Sequence, residues 1–385
     1  MKHIIAHYHE IILKGKNRSR FEERLASNIK NKITAVKISN TTHREGRIIV
    51  EFEKDLTDQE FLKIKEQLSK IFGITSFLPM ETAEPTIESI IKTAEEIFNN
   101  AKGSFAIRTK RSNKKFPHTS EKTNALVGKA IQDKFGNPVD LSNPENTLFI
   151  EILEKKVYLG MNRFKGLGGL PGGISGKVIA MLSGGIDSPV AAWKLAKRGC
   201  EVVFVHFHSY PHTSKASINK VKELAKIISE YQGKSKIYLV PFAEVQREVV
   251  MKTIPKYRVL LYRRLMVKIA DAIAKKEKAL ALVTGESVGQ VASQTLPNLQ
   301  VTEDAASLPI FRPLIGEDKE DIINLAKQIN TYETSIIPHD DCCTLFIPKN
   351  PATGANLEIV KKEEEKLDVE NLIKTAIKNS EIEKI

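Results

Sequence analysis

Cysteine is scarce. Three occur in 385 residues, Cys200, Cys342 and Cys343, and no C-x-x-C pair is among them. That excludes a disulfide framework and leaves a zinc site of the usual spacing without support. Long apolar runs are also missing. None approaches the roughly 18 residues of a membrane span, so no membrane partner is expected. The opening MKHIIAHYHEIILKGK is too polar for a signal peptide. These absences point to a cytoplasmic, reducing setting. Acids are fewer than bases, 47 against 59, which leaves a formal charge of +12. An excess of that sign favours polyanionic partners and says little about fold.

The patterned stretches fall into two regimes. In the first, HIIAHYHEI reads as a strand and FEERLASNIKNKI as a helix, with Phe21, Leu25, Ile29 and Ile33 recurring every four residues. GRIIVEFE is a strand and DQEFLKIKEQLSKIFG a helix closed by Gly73. TIESIIKTAEEIFNNA, SFAIRTKR and SEKTNALVGKAIQDKFG continue as helix, strand, helix. TLFIEILEKKVYLGMNR supplies two strands joined at Glu154-Lys155-Lys156. These patterns predict α+β units over 1–75 and 76–165.

GLGGLPGGISGK, residues 166–177, holds six glycines and a proline and reads as a linker. After it, short β-rich runs (KVIAML, EVVFVHF, KIYLVPF, ALALVTG) alternate with helical patterns. That order predicts an α/β unit over 166–385, with a parallel sheet covered by helices on both faces. The charged tail from Lys361 is expected to be a solvated closing helix.

SGGIDS, Ser183 to Ser188, falls where the first of these strands ends and its helix begins. Open parallel sheets bind ligands at the carboxyl ends of their strands. Gly184 and Gly185 let the backbone approach a phosphate, and the helix that follows presents unpaired N–H groups. Ser183 and Ser188 add hydroxyls. Asp187 would repel phosphate unless a cation intervened, so it is assigned to Mg²⁺. GGISGKV is no Walker A loop, because Pro171 and Val178 stand where the leading glycine and the magnesium-binding hydroxyl should be.

SGGIDS resembles the signature of the PP-loop ATP pyrophosphatases. GLGGLPGGISGK, HFHSYPHTS, LYRRLM, TGESVGQVASQTLPNL, FRPLIGEDKEDIINLA and DCCTLF extend the resemblance, over essentially the whole chain, to the ThiI family of tRNA sulfurtransferases. The resemblance implies a ferredoxin-like domain, a THUMP RNA-binding domain and a C-terminal PP-loop domain. It implies ATP held by Met181, Leu182, His206, Phe207, Arg263, Gly285 and Gln294 as well as by the SGGIDS turn. His206, His208 and His212 are read as pocket-lining or main-chain contributors and not as metal ligands.

Between Ala101 and Ser120 lie six lysines and arginines and no acid. Arg108, Lys110, Arg111, Lys114 and Lys115 are candidate phosphate contacts, with Phe105, Phe116 and His118 interleaved as candidate stacking groups. The segment falls in the THUMP-like stretch, which implies tRNA. Cys200 reads as a packing residue. Cys342 and Cys343 are the candidate sulfur carriers, with Cys343 as lead. Asp340 and Asp341 beside them would raise a thiol's pKa, so activation needs a cation or a polar setting. The family's longer members add a rhodanese domain, for which this chain has no room. Its sulfur is then expected from Cys342/Cys343 themselves, a cysteine desulfurase, another persulfide donor or free sulfide. The implied reaction is ATP-dependent adenylation of uridine 8 and exchange of O4 for sulfur. A role in sulfur supply for thiamine thiazole and a homodimer accompany the resemblance. A PP-loop 2-thiouridylase or ligase and a non-catalytic RNA-binding protein are the competing readings.

Overall fold

The computed structural model describes residues 1–44, 46–338 and 351–385. They divide into two compact units, Met1–Pro171 and Gly172–Ile385.

The first unit runs β1 (His3–His7), α1 (Arg18–Lys32), β2 (Ile38–Arg44), β3 (Arg47–Phe52), α2 (Asp58–Ser69) and β4 (Ser76–Ala83). It continues with α3 (Ile87–Phe98), β5 (Phe105–Arg111), α4 (Ser120–Phe135), β6 (Asn146–Ile152), β7 (Val157–Gly160) and the short β8 (Phe164–Lys165). The order across the sheet is β2-β3-β1-β4-β7-β6-β5, with β8 also on β4. Strand β4 serves both halves. Ser76–Met80 pair with β1, and Glu81–Ala83 pair with β7.

Sequence periodicity misses β4 because Pro79 lies inside it, and proline is rare in central strands. Here β8 covers only Ser76 and Phe77, so Pro79 falls in the gap before β7 begins. A missing N–H leaves no ladder bond unmade on that side. Strand β2, ISNTTHR, is missed for another reason. It is a half-exposed edge with no apolar alternation. The first predicted strand is also shorter than expected, and a 3₁₀ segment takes over from Glu10 to Asn17.

Each half has its own core beneath its helices, around Leu25, Ile29, Ile48 and Phe77 in one and Phe98, Phe105, Val127 and Ile150 in the other. A smaller cluster of Ile5, Ile49, Leu78, Met80, Leu153 and Tyr158 joins residues of both halves. Beside it Glu151 is almost fully buried and accepts from His7 Nε2 at 2.6 Å and pairs with Arg47 at 2.8 Å. Burial pushes the Glu151 carboxyl up, but His7 and Arg47 outweigh it and hold the group below its ordinary value.

The second unit runs β9 (Lys177–Met181), α5 (Asp187–Lys197), β10 (Glu201–His208), α6 (Ala216–Gln232), β11 (Lys236–Pro241), α7 (Ala243–Lys252) and α8 (Arg258–Glu277). Then come β12 (Ala281–Val283), α9 (Leu296–Glu303), β13 (Ile310–Phe311), α10 (Lys319–Gln328), α11 (Tyr332–Ser335), α12 (Leu357–Glu364), α13 (Val369–Lys378) and β14 (Glu381–Lys384). Strand order is β13-β12-β9-β10-β11-β14. All pairs are parallel except β11–β14. Strand β9 is central, flanked by β10 and β12, and its carboxyl end is the crevice where strand order reverses.

The tail corrects the sequence reading. It is not a solvated helix. Val360, Leu367, Leu372 and Ala376 enter the main core, and β14 closes the antiparallel edge of the sheet. Glu363 and Glu364 of α12 are buried as well, while the other lysines and glutamates of α12 and α13 lie toward the surface, and this mixture of charges hides the narrow inward stripe. Among the described residues no helix is long and apolar enough to cross a membrane.

Candidate nucleotide and RNA sites

Residues Leu182 to Ser188 form the turn between β9 and α5. Leu182 N–H donates to the Val205 carbonyl at 2.8 Å, which ties the turn to β10. His206 Nδ1 donates to the Leu182 carbonyl at 2.9 Å from the same strand. Inside the turn Ser183 N–H donates to Ser188 Oγ at 2.9 Å, and the two hydroxyls lie 3.0 Å apart. Gly185 N–H donates to Ser183 Oγ at 3.3 Å. The serines thus brace the turn. A Cβ on Gly185 would meet only Ser183 Oγ, at 3.6 Å. The glycine therefore keeps space open above the turn, and positive φ is not what requires it.

Gly285 plays the other part of a glycine. A Cβ there would lie 2.6 Å from Ser188 N and 2.8 Å from the Asp187 carbonyl carbon. Only a residue without a side chain lets the end of β12 press against the first turn of α5.

The result is a cavity of about 270 Å³ at the carboxyl ends of β9, β10 and β12. Of the nucleotide contacts expected from sequence, Met181, Leu182, Ser183, Gly185, Asp187, Ser188, His206, Phe207, Arg263, Gly285 and Gln294 all line it. Gly184 lies within the same turn. The wall also carries residues that sequence reasoning missed: Thr284, Glu286, Met266 and Val267. Glu286 follows Gly285 in TGES, and its neighbour in that motif was the available signal.

The electrostatics are concentrated at two carboxylates. Glu286 is 2% exposed. It accepts from Arg263 Nη2, from Arg312 Nε at 2.7 Å and from Thr284 Oγ1 at 2.9 Å. Burial raises the Glu286 pKa, and the two guanidinium groups more than reverse that, so the carboxyl stays ionised below its ordinary range. Asp187, at the start of α5, accepts from Lys319 Nζ at 2.6 Å and from Gln290 Nε2 at 3.0 Å. Gln294 steadies the loop between: its side-chain carbonyl accepts from Ser287 N–H at 3.4 Å and its backbone carbonyl from Gly289 N–H at 3.0 Å.

Among the described residues no group of three or more His, Cys, Asp or Glu is placed to hold a metal ion. Magnesium at a nucleotide keeps waters and phosphate oxygens and needs only one or two carboxylates. Asp187 offers one such carboxylate on the cavity wall, and a metal there would take the place of Lys319 on Oδ1 or of Gln290 on Oδ2.

Comparisons with known proteins identify the family. The family model described as "Thiamine biosynthesis protein (ThiI)" matches residues 173–369. A ThiI ferredoxin-like domain matches 3–77 and a THUMP domain matches 82–162. The chain belongs to the ThiI family. A probable tRNA sulfurtransferase of Thermus thermophilus is 44% identical over 97% of this chain and 92% of its own length. One of Brevibacillus brevis is 40% identical over 99% and 96%. A 4-thiouridine synthetase solved in complex with RNA and with bound ATP matches all of both chains at 36% identity, with a TM-score of 0.88.

In this ThiI-family chain the basic candidates sit on and after β5, the last strand of its sheet, paired along its length with β6. Arg108, Lys110, Lys114 and Lys115 are exposed. Arg108 Nη2 also donates to the Leu141 carbonyl at 2.7 Å. Arg111 is half-buried, and its Nη1 donates to the Phe116 and His118 carbonyls at 3.1 and 3.3 Å, so it shapes the turn that carries Lys114 and Lys115. The expected stacking role of Phe105 and Phe116 is corrected here, because both are buried in the core under α3 and α4. A groove of about 430 Å³ beside β5 is lined by Arg108, Lys110 and Arg163, the last lying 4.4 Å over the Phe149 ring. Arg163 lies outside the basic run that sequence composition reveals.

Cys200 is buried, and burial pushes its thiol up, as suits a packing residue. Cys342 and Cys343 lie outside the described residues.

Proposed function

We propose that this chain is an ATP-dependent tRNA sulfurtransferase that converts uridine 8 of tRNA to 4-thiouridine. One observation carries the reading. The Leu182–Ser188 turn, the Gly285 end of β12 and Arg263 converge on one cavity, in a chain similar over its full length to a 4-thiouridine synthetase solved with RNA and ATP.

ATP lies with its adenosine toward Met181, Leu182 and Phe207 and its phosphates over the turn. Backbone N–H groups at the start of α5 face the phosphates, and the helix dipole favours their charge. Arg263 supplies a planar cation for a phosphate oxygen. Asp187 would hold a Mg²⁺ brought in with the nucleotide, and that ion would supply charge neutralisation at the phosphates. Uridine O4 attacks the α-phosphorus, the bond to the bridging oxygen breaks, and pyrophosphate leaves with AMP joined to O4. Fixed donors aimed at the departing charge lower the barrier because they need no reorganisation.

Sulfur then attacks C4 and AMP departs. Either Cys342/Cys343 bear it as a persulfide, with Cys343 in the lead and a disulfide left behind, or a desulfurase or free sulfide supplies it. The exposed basic edge at Arg108, Lys110, Lys114 and Lys115, with Arg111 behind it, holds the tRNA backbone, which gives affinity and register more than base reading. The sulfur leaving this site also reaches the thiamine thiazole, and a deletion strain then needs thiazole to grow.

Mass spectrometry of tRNA nucleosides from that deletion strain tests the main reading. Loss of 4-thiouridine with 2-thiouridine intact is expected. Loss of 2-thiouridine with 4-thiouridine intact overturns it.

A further inference from the structure

Glu286 presents a puzzle for a site that accepts ATP. An ionised, buried carboxylate lines the cavity and holds the arginine that a phosphate needs. Two like charges competing for one guanidinium should weaken nucleotide binding. The second arginine resolves it. Arg312 does not line the cavity, yet its Nε donates to Glu286 at 2.7 Å. Its Nη1 is held by Glu303, a half-exposed carboxylate whose charge water screens. Arg263 has a lighter tether on its far side, Ser293 Oγ at 3.0 Å from Nη1.

We propose that Arg312 is a positioning residue for nucleotide binding: it keeps Glu286 neutralised, so that Arg263 is free to turn part of its donor set to a phosphate. The inference rests on the ATP reading of this cavity. Stripping one partner from a buried carboxylate is costly, and whichever guanidinium remains is drawn fully onto it. Glu286, itself braced by Thr284 Oγ1 at 2.9 Å, holds Arg263 Nη2 against the wall. When ATP enters, Arg312 stays and Arg263 is shared.

The test is a double-mutant cycle on full-length protein, with ATP affinity measured by calorimetry and pyrophosphate release measured with tRNA. Arg312→Met is expected to weaken ATP binding about tenfold, within the usual range for coupled charges. The loss should appear in KM for ATP and leave kcat nearly unchanged. Glu286→Gln combined with Arg312→Met is expected to recover affinity to within about threefold of Glu286→Gln alone, because no buried charge then competes for Arg263. A structural role predicts the opposite, a double variant worse than either single one. Thermal melting reports whether each protein is folded, and if Arg312→Met does not fold, Arg312→Gln, which removes the charge but keeps a polar donor, takes its place with the same expected loss and recovery. Parent-like ATP affinity in folded Arg312→Met, or no recovery in the double variant, overturns the inference. If the parent itself does not bind ATP, the reading of the cavity fails first.

Discussion

A single methyl group distinguishes the two kinds of glycine at this site. Gly185 has room above it and Gly285 has none, since a Cβ there would press to 2.6 Å on Ser188 N. Gly285→Ala must push β12 away from the first turn of α5 or distort the turn itself. ATP affinity is expected to fall more than tenfold in calorimetry while circular dichroism stays that of the parent. Unchanged affinity would mean that the close approach at Gly285 does not shape the site. Protonation is also decided residue by residue. Glu151, Glu286 and Glu364 all have carboxyls held below the ordinary value of 4.5 by arginine, lysine or histidine partners that outweigh burial. Their stabilisation is present above 4.5 and is lost as pH falls through their lowered values. Burial lowers His3 and His208 below the ordinary 6.5. For these the unfolded chain takes up protons first, so stability again falls with falling pH, from about 6.5 downward. The melting temperature is expected to decline gently below pH 6.5 and steeply below 4.5. A rise on acidification would contradict these assignments.

Elements show where sequence periodicity works and where it fails. Helix α8 and strands β9, β10 and β11 follow their apolar patterns, since each is buried on both sides or along a broad stripe. The SGGIDS turn is legible because its spacing has one good physical use at a strand-to-helix junction. Strands β2 and β4 are not, one being a polar edge and the other carrying Pro79 where its partners change. The charge set at Glu286 is half legible: Arg263 stands out, but Glu286 and its second partner Arg312 are 26 residues apart in sequence and meet only through folding. Helix α13 looks solvated in sequence because Lys and Glu crowd its outer face. Leu372 tests the corrected reading. It is 7% exposed in the core shared with α8. Leu372→Ala is expected to cost roughly 2–5 kcal/mol, as for buried leucines elsewhere, read by urea unfolding. A change within about 0.5 kcal/mol, the surface value, would return the tail to solvent.

At the scale of the whole molecule the excess of bases includes an exposed set on the outer strand of the first unit. Lys110, Lys114 and Lys115 are exposed at and beyond the end of β5, and Arg111 braces the turn between them. Replacing the three lysines by glutamate is expected to weaken tRNA binding for all tRNAs alike. The slope of log K against log salt should flatten by about one for each phosphate that is no longer neutralised. An unaltered slope would place the RNA elsewhere.

The most direct measurement is a reconstitution with tRNA, ATP and sulfide in which pyrophosphate and 4-thiouridine are followed together. Both are expected to appear at equal yield and to vanish together in Asp187→Ala, whose carboxylate stands at the start of α5 on the wall of the cavity. Thionucleoside formed without pyrophosphate, or formed by Asp187→Ala at the parent's rate, would contradict the assignment of that turn to ATP.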